Sequence, residues 1–396
     1  MRTENRRALA IAQTLTHVWA LPRSISLDWS YAALDKRDLR LDLLRGFAVM
    51  VMVIDHFGGS SWLYLITGGN NFFVSGAEAF VFISGFVVGM VYGGIALKQG
   101  LKTAQIKALQ RALTLYKLTV ILTLVFAGLS RFFGLEWAKG LSIESMLQFV
   151  VDVATLRQTM YLADIPMMYT YLMLAAAGGL WLLYTRRTVW LLVGSSALWL
   201  AFQLCQIQIP WTIAGNTTFN LAAWQFLFFV AMSVGYHRES LAGRLSQLPR
   251  RSYFMLSALV LVWFAQVYAT NGSALAQWIP SSDAGALMSE LFNKSAVAPG
   301  RLAASFVVFQ FAYLAVTLFW KPIWAAFGWL LMPLGQNSLY SYTMHVVVIG
   351  AFYAALPYLP GHITSIGTIN TSLQLMAILL LWAMIQRQFM FRIIPR

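Results

Sequence analysis

The chain has 396 residues, of which 59% are hydrophobic and only 11% charged, with a mean hydropathy of +0.66. A soluble domain carries about a quarter charged residues, so this composition excludes soluble multidomain, disordered, coiled-coil and disulfide-scaffold proteins. The charge that remains is lopsided, 28 Lys+Arg against 14 Asp+Glu for a net +14, and in so apolar a chain that excess reads as topology, not as affinity for nucleic acid.

Residues 1–38 are expected to form a cytoplasmic, interfacial segment. Their apolar run is interrupted by Gln13, Thr14, Thr16 and His17 and no small-residue cleavage site follows, so an amphipathic surface helix is favoured over a signal peptide. From there to residue 396 the chain reads as one transmembrane domain. Crossing a hydrocarbon core takes roughly 20 mostly apolar residues. About ten such stretches follow, at 43–62, 73–96, 112–130, 165–184, 188–207, 219–236, 253–270, 302–320, 337–359 and 372–391. With the N-terminus inside, most Lys and Arg fall in the cytoplasmic connections. The outside connections hold only Arg131, Lys139, Arg157, Lys294 and Arg301. The fold class expected is therefore an all-α polytopic membrane protein with both termini cytoplasmic. The long outer connections, 131–164 and 271–301, are expected to carry short surface helices. Cys205, the single cysteine, permits neither an intrachain disulfide nor a Cys-based metal site. No P-loop or dinucleotide fingerprint is present.

An ionisable residue inside a span costs several kcal/mol unless it is paired or wet, so these few positions are the functional candidates. In the first span Asp42 and Arg45 are three residues apart and can pair on one face. Arg45 and His56, eleven residues apart, share a helical face about 16 Å apart, while Asp55 points about 100° away. Glu78 lies one to two turns into the second span, ahead of Gly85, Gly89 and Gly93, a spacing that lets helix backbones approach closely. His345 lies about 12–14 Å into the ninth span. Asp55, His56, Glu78 and His345 are thus expected to converge near mid-membrane. Bland readings stand beside these: a histidine that only bonds a neighbouring helix, and an Asp42–Arg45 clamp at the interface. The basic residues Lys98, Lys102, Lys107 and Arg111 follow the positive-inside rule or hold the phosphates of a cytoplasmic ligand. Lys117 lies about 9 Å deeper than Arg111 and either meets the ligand or snorkels to the interface.

Three stretches carry a resemblance: Arg37-Asp38-Leu39-Arg40-Leu41-Asp42-Leu43-Leu44-Arg45-Gly46 with Asp55-His56; Ala77-Glu78-Ala79-Phe80-Val81-Phe82-Ile83-Ser84-Gly85; and Leu334-Gly335-Gln336-Asn337-Ser338-Leu339. In this order they resemble the OpgC family, membrane proteins that succinylate osmoregulated periplasmic glucans. More distantly, Arg45, His56 and Ser84-Gly85-Phe86 resemble the wider superfamily of membrane acyltransferases acting on sugars, with Lys107 and Arg111 as its basic residues at the start of the third span. The resemblance implies a multi-pass protein of the bacterial inner membrane. It implies succinyl-CoA as cytoplasmic donor substrate, a periplasmic glucan as acceptor, and no permanently bound cofactor or metal. His56 would be a general base or transient acyl carrier, oriented by Asp55 or Glu78. Ser84, Asn337 and His345 would donate to the oxyanion, with Asp42 in support. Arg45, Lys107 and Arg111 would lie near the donor phosphates, and Lys117 would meet the succinyl carboxylate. The rival readings are a sibling acyltransferase with another acyl group or acceptor and a proton-coupled transporter. Neither an inverted repeat nor paired broken helices favour the transporter.

Overall fold

A computed structural model describes residues 29–32, 37–135, 146–160, 162–245, 247–270, 283–361 and 363–395. Most of the expected N-terminal helix, and residues 136–145 and 271–282 of the two long connections, lie outside the described residues. Those described are mostly helical, with no strand among them. Eleven helices build the bundle: α1 (Leu39–Phe57), α2 (Gly76–Gln99), α3 (Leu101–Phe133), α4 (Asp164–Tyr184), α5 (Thr188–Cys205), α6 (Leu221–Tyr236), α7 (Arg250–Ala269), α8 (Pro299–Leu318), α9 (Trp320–Gln336), α10 (Ser338–Ala355) and α11 (Gly367–Gln386). Short helices at Met146–Ala154 and Ala284–Leu291 occupy the long connections, as expected there.

Eight helices, α2 to α5, α7, α8, α10 and α11, are long and apolar enough to cross a membrane. Two more expected stretches are helical but differ in kind. Helix α1 carries Arg40, Asp42, Arg45 and Asp55 along its 19 residues, and α6 has only 16 residues. The expected first span ran to residue 62, but α1 ends at Phe57, because Gly58 takes φ 68°. Residues 321–336, expected as a connection, form most of the 17-residue helix α9.

Helix ends follow from local chemistry. The Asp38 side chain caps α1 by accepting from Arg40 N, and Ser75 with Glu78 forms a capping box at the start of α2. Backbones pack closely where glycine allows it. A Cβ at Gly89 would stand 1.9 Å from the Met232 carbonyl oxygen, and one at Gly235 2.0 Å from that of Phe86, so the small-residue stripe of α2 seats on α6. Helix α9 lies as closely on α1, where a Cβ at Gly335 would meet the Asp42 carbonyl at 1.8 Å. Residues 29–31 fasten this corner: Tyr31 N donates to Thr317 O, Lys321 N donates to Trp29 O, and Arg40 lies 4.5 Å from both the Tyr31 and Tyr313 rings.

Candidate active site

Helix α1 delivers His56 near its end and α10 delivers His345 at its middle. His56 Nδ1 lies 3.0 Å from His345 Nε2, and the rings stack at 5.3 Å. On its other side His345 Nδ1 hydrogen-bonds the Tyr342 carbonyl, one turn earlier. A carbonyl only accepts, so Nδ1 of His345 carries the hydrogen and its Nε2 is the acceptor of a neutral ring. His56 Nδ1 is then the donor between the rings, and His56 presents the lone pair of Nε2. These tautomers are assigned from the network. His345 is enclosed, whereas His56 is partly exposed.

The two carboxylates expected to orient His56 are engaged elsewhere. Glu78 Oε2 accepts from Ser75 N at 2.8 Å and from Ser75 Oγ at 2.7 Å. Its Oε1 accepts from Arg301 Nε at 2.5 Å, with both side chains almost fully enclosed. Asp55 Oδ1 accepts from Thr67 Oγ1 at 2.8 Å, and its Oδ2 is buried without a hydrogen-bond partner. The group bonded to His56 is His345 instead. Lys294 stands among all of these. Its Nζ donates to Asn70 Oδ1 at 3.1 Å, and it interacts electrostatically with Glu78, Arg301, Asp55, Asp164 and His56. Burial pulls the Lys294 ammonium below its ordinary value, and Glu78 leads the acids that oppose this. Arg301 and Lys294 escaped the sequence reading as ordinary outside cations. The signal that pointed to Arg301 was Glu78 itself, a carboxylate in an apolar span that needs a cation.

At the other end of α1, a cavity of ≈250 Å³ is lined by Arg45, Ser84, Arg111, Tyr92, Tyr169 and Tyr342, among others. The expected Asp42–Arg45 pair is loose at 3.9 Å, because Arg37 grips Asp42 through two bonds of 2.6 and 2.9 Å. Arg45 instead stands near Tyr169 and Arg111. The Tyr342 ring closes the cavity wall and lies 4.7 Å from the His345 ring. Three expected residues do not join this cavity. Lys107 and Lys117 are exposed on α3. Six residues place Lys117 about 240° around the helix from Arg111. Asn337 donates to Pro333 O at 3.0 Å at the α9–α10 junction, about 12 Å along the helix from His345. Ser84 lines the cavity beside Tyr169 and makes no bond to either histidine.

Eight helices of membrane-crossing length, packed with a histidine pair and a buried Glu78–Arg301 ion pair, define an all-α polytopic membrane protein. A family model described as OpgC protein matches residues 37–390. The chain belongs to that family, and so to acyltransferases acting on glucans. Neither the curated proteins nor the solved structures contain a match to it.

Proposed function

We propose that the protein is an O-acyltransferase of the bacterial inner membrane that moves a succinyl group from cytoplasmic succinyl-CoA to hydroxyls of a periplasmic glucan. In this reading ten helices span, both termini are cytoplasmic, and the end of α1 that bears Arg45 faces the cytoplasm. The observation that carries the reading is the His56–His345 pair at 3.0 Å, one residue beyond a cavity lined by two arginines.

Arg45 and Arg111 hold the phosphates of the donor, with Lys107 at the cytoplasmic rim. A cavity of ≈250 Å³ falls below the roughly 300 Å³ of a small-ligand pocket, so it takes the thioester arm and leaves the nucleotide at the mouth. His56 Nε2 removes the proton of an acceptor hydroxyl as its oxygen attacks the thioester carbonyl. The new C–O bond forms, the C–S bond breaks, and the imidazolium returns the proton to the departing thiolate. His345 acts through His56. It accepts the Nδ1 hydrogen, fixes the tautomer and steadies the imidazolium, while Ser84 donates to the carbonyl oxygen.

The test is a His56→Ala variant in a strain lacking the native copy, with membrane levels matched. Loss of the succinyl mass increment from periplasmic glucan is expected, and retained succinylation sinks the assignment. A different acyl increment would reassign the donor, and unaltered glucan with changed solute uptake would favour a carrier.

A further inference from the structure

Residues 292–298 form a loop that is pinned from several sides. Trp199 Nε1 donates to Val297 O at 3.0 Å, Gln203 Nε2 to Ala296 O at 2.7 Å and Arg301 Nη1 to Phe292 O at 3.4 Å. Ser295 Oγ donates outward to Thr217 O at 3.1 Å. Val297 sits at φ 44°, in the left-handed region that a β-branched residue rarely enters. Such a conformation persists only where surrounding contacts over-determine it. What this pinned turn carries to the histidine end of the bundle is Lys294.

Structure does not exhaust Lys294. An ammonium has three donors, and its one hydrogen bond goes to the neutral Asn70 amide. Among the described residues it forms no ion pair. Asp55, with which it interacts electrostatically, keeps Oδ2 buried and without a hydrogen-bond partner. A donor and an acceptor that interact electrostatically, each with bonding capacity left over, match a ligand group that both accepts and donates. A hydroxyl does both, whereas a carboxylate only accepts. A carboxylate would also find Arg301 already engaged by Glu78 at 2.5 Å, with Lys294 alone left to neutralise it. Neutral hydroxyls fit this charge balance, and His56, the proposed base, also interacts with Lys294.

We propose that Lys294 and Asp55 form a subsite for the acceptor sugar, gripping the hydroxyl next to the one that His56 deprotonates. The subsite rests on the reading of the acceptor as a glucan. Neighbouring hydroxyls of a pyranose stand on adjacent ring carbons. A ring with its reacting oxygen at His56 Nε2 then offers a neighbouring hydroxyl to Lys294, which interacts electrostatically with His56. Lys294 would then position and select the acceptor, leaving the donor to the arginines of the inner cavity.

The experiment uses the full-length protein in native membranes, succinyl-CoA, a short gluco-oligosaccharide and its monodeoxy analogues. The wild type should use the analogue lacking the gripped hydroxyl about 10- to 100-fold less efficiently in kcat/KM, because a polar site built for a hydroxyl is left unpaired without it. Lys294→Met should shrink that penalty to under about 3-fold with donor KM unchanged, and Lys294→Arg should keep it. Asp55→Asn should also shrink the penalty, and it decides the matter if the methionine variant fails to accumulate. Discrimination that survives in both variants overturns the subsite, as does a wild type indifferent to every deoxy analogue. Unchanged acceptor kinetics in Lys294→Met with a shift from succinyl-CoA toward acetyl-CoA also overturns it, by assigning Lys294 to the acyl carboxylate. A wild type that acylates no glucan overturns the underlying reading of function instead.

Discussion

The two ends of helix α1 are equally rich in ionisable residues, but they neutralise them differently. At the Arg45 end positive charge is left over. Arg37 takes both oxygens of Asp42, Arg45 approaches that carboxylate only to 3.9 Å, and Arg111 lines the same cavity. At the histidine end the close ion pair is Glu78 with Arg301, joined at 2.5 Å inside the protein, while Lys294 and Asp55 stay outside it. Surplus cations suit an incoming polyanion, whereas a closed ion pair suits a neutral substrate and a scaffold that must not move. The difference comes from which residues and partners the fold supplies at each end.

The contrast breaks most visibly at Arg301. Arg301→Met leaves Glu78 buried without its cation, a change expected to cost about 3–5 kcal/mol and to lower the Tm of the detergent-solubilised protein. Glu78→Gln added to Arg301→Met should restore most of that loss. An unchanged Tm in the single variant would show that the pair does not hold the fold. His345→Gln keeps a polar side chain but loses the relay, and kcat should fall about 100-fold with both KM values within about 3-fold. A rise in acceptor KM alone would place His345 in binding. Arg45→Met should raise the succinyl-CoA KM about 10-fold with kcat retained, and an unchanged donor KM would move the donor away from this cavity. The smallest effect belongs to Lys117→Met, with donor preference within about 2-fold of wild type, as measured by competing succinyl- and acetyl-CoA.

Arg45, His56, Glu78 and His345 were legible because a charged or titratable side chain in an apolar stretch is costly and therefore conspicuous. The same logic has a blind side. Lys294 and Arg301 stand in or beside a loop, where cations are cheap, and the sequence hints at Arg301 only through the need of Glu78 for a cation. The Arg301–Glu78 pair joins residues 223 positions apart, and helical periodicity carries no information about contacts at that range. Local spacing made Asp42 and Arg45 look like partners, yet Arg37 reaches Asp42 from outside the helix with better geometry. The span count was blurred for a related reason. Helix α1 carries Arg40, Asp42, Arg45 and Asp55, and those charges weaken the apolar signature that marks the eight clear membrane-crossing helices.

Tyr342 belongs to both ends at once. Its ring walls the arginine cavity, its hydroxyl donates to Leu162 O at 2.7 Å, and its carbonyl holds His345. With Phe80 beside it, also buried, it lies between the arginine cavity and His345. A change at this one residue therefore reaches the arginine cavity and the histidine pair together.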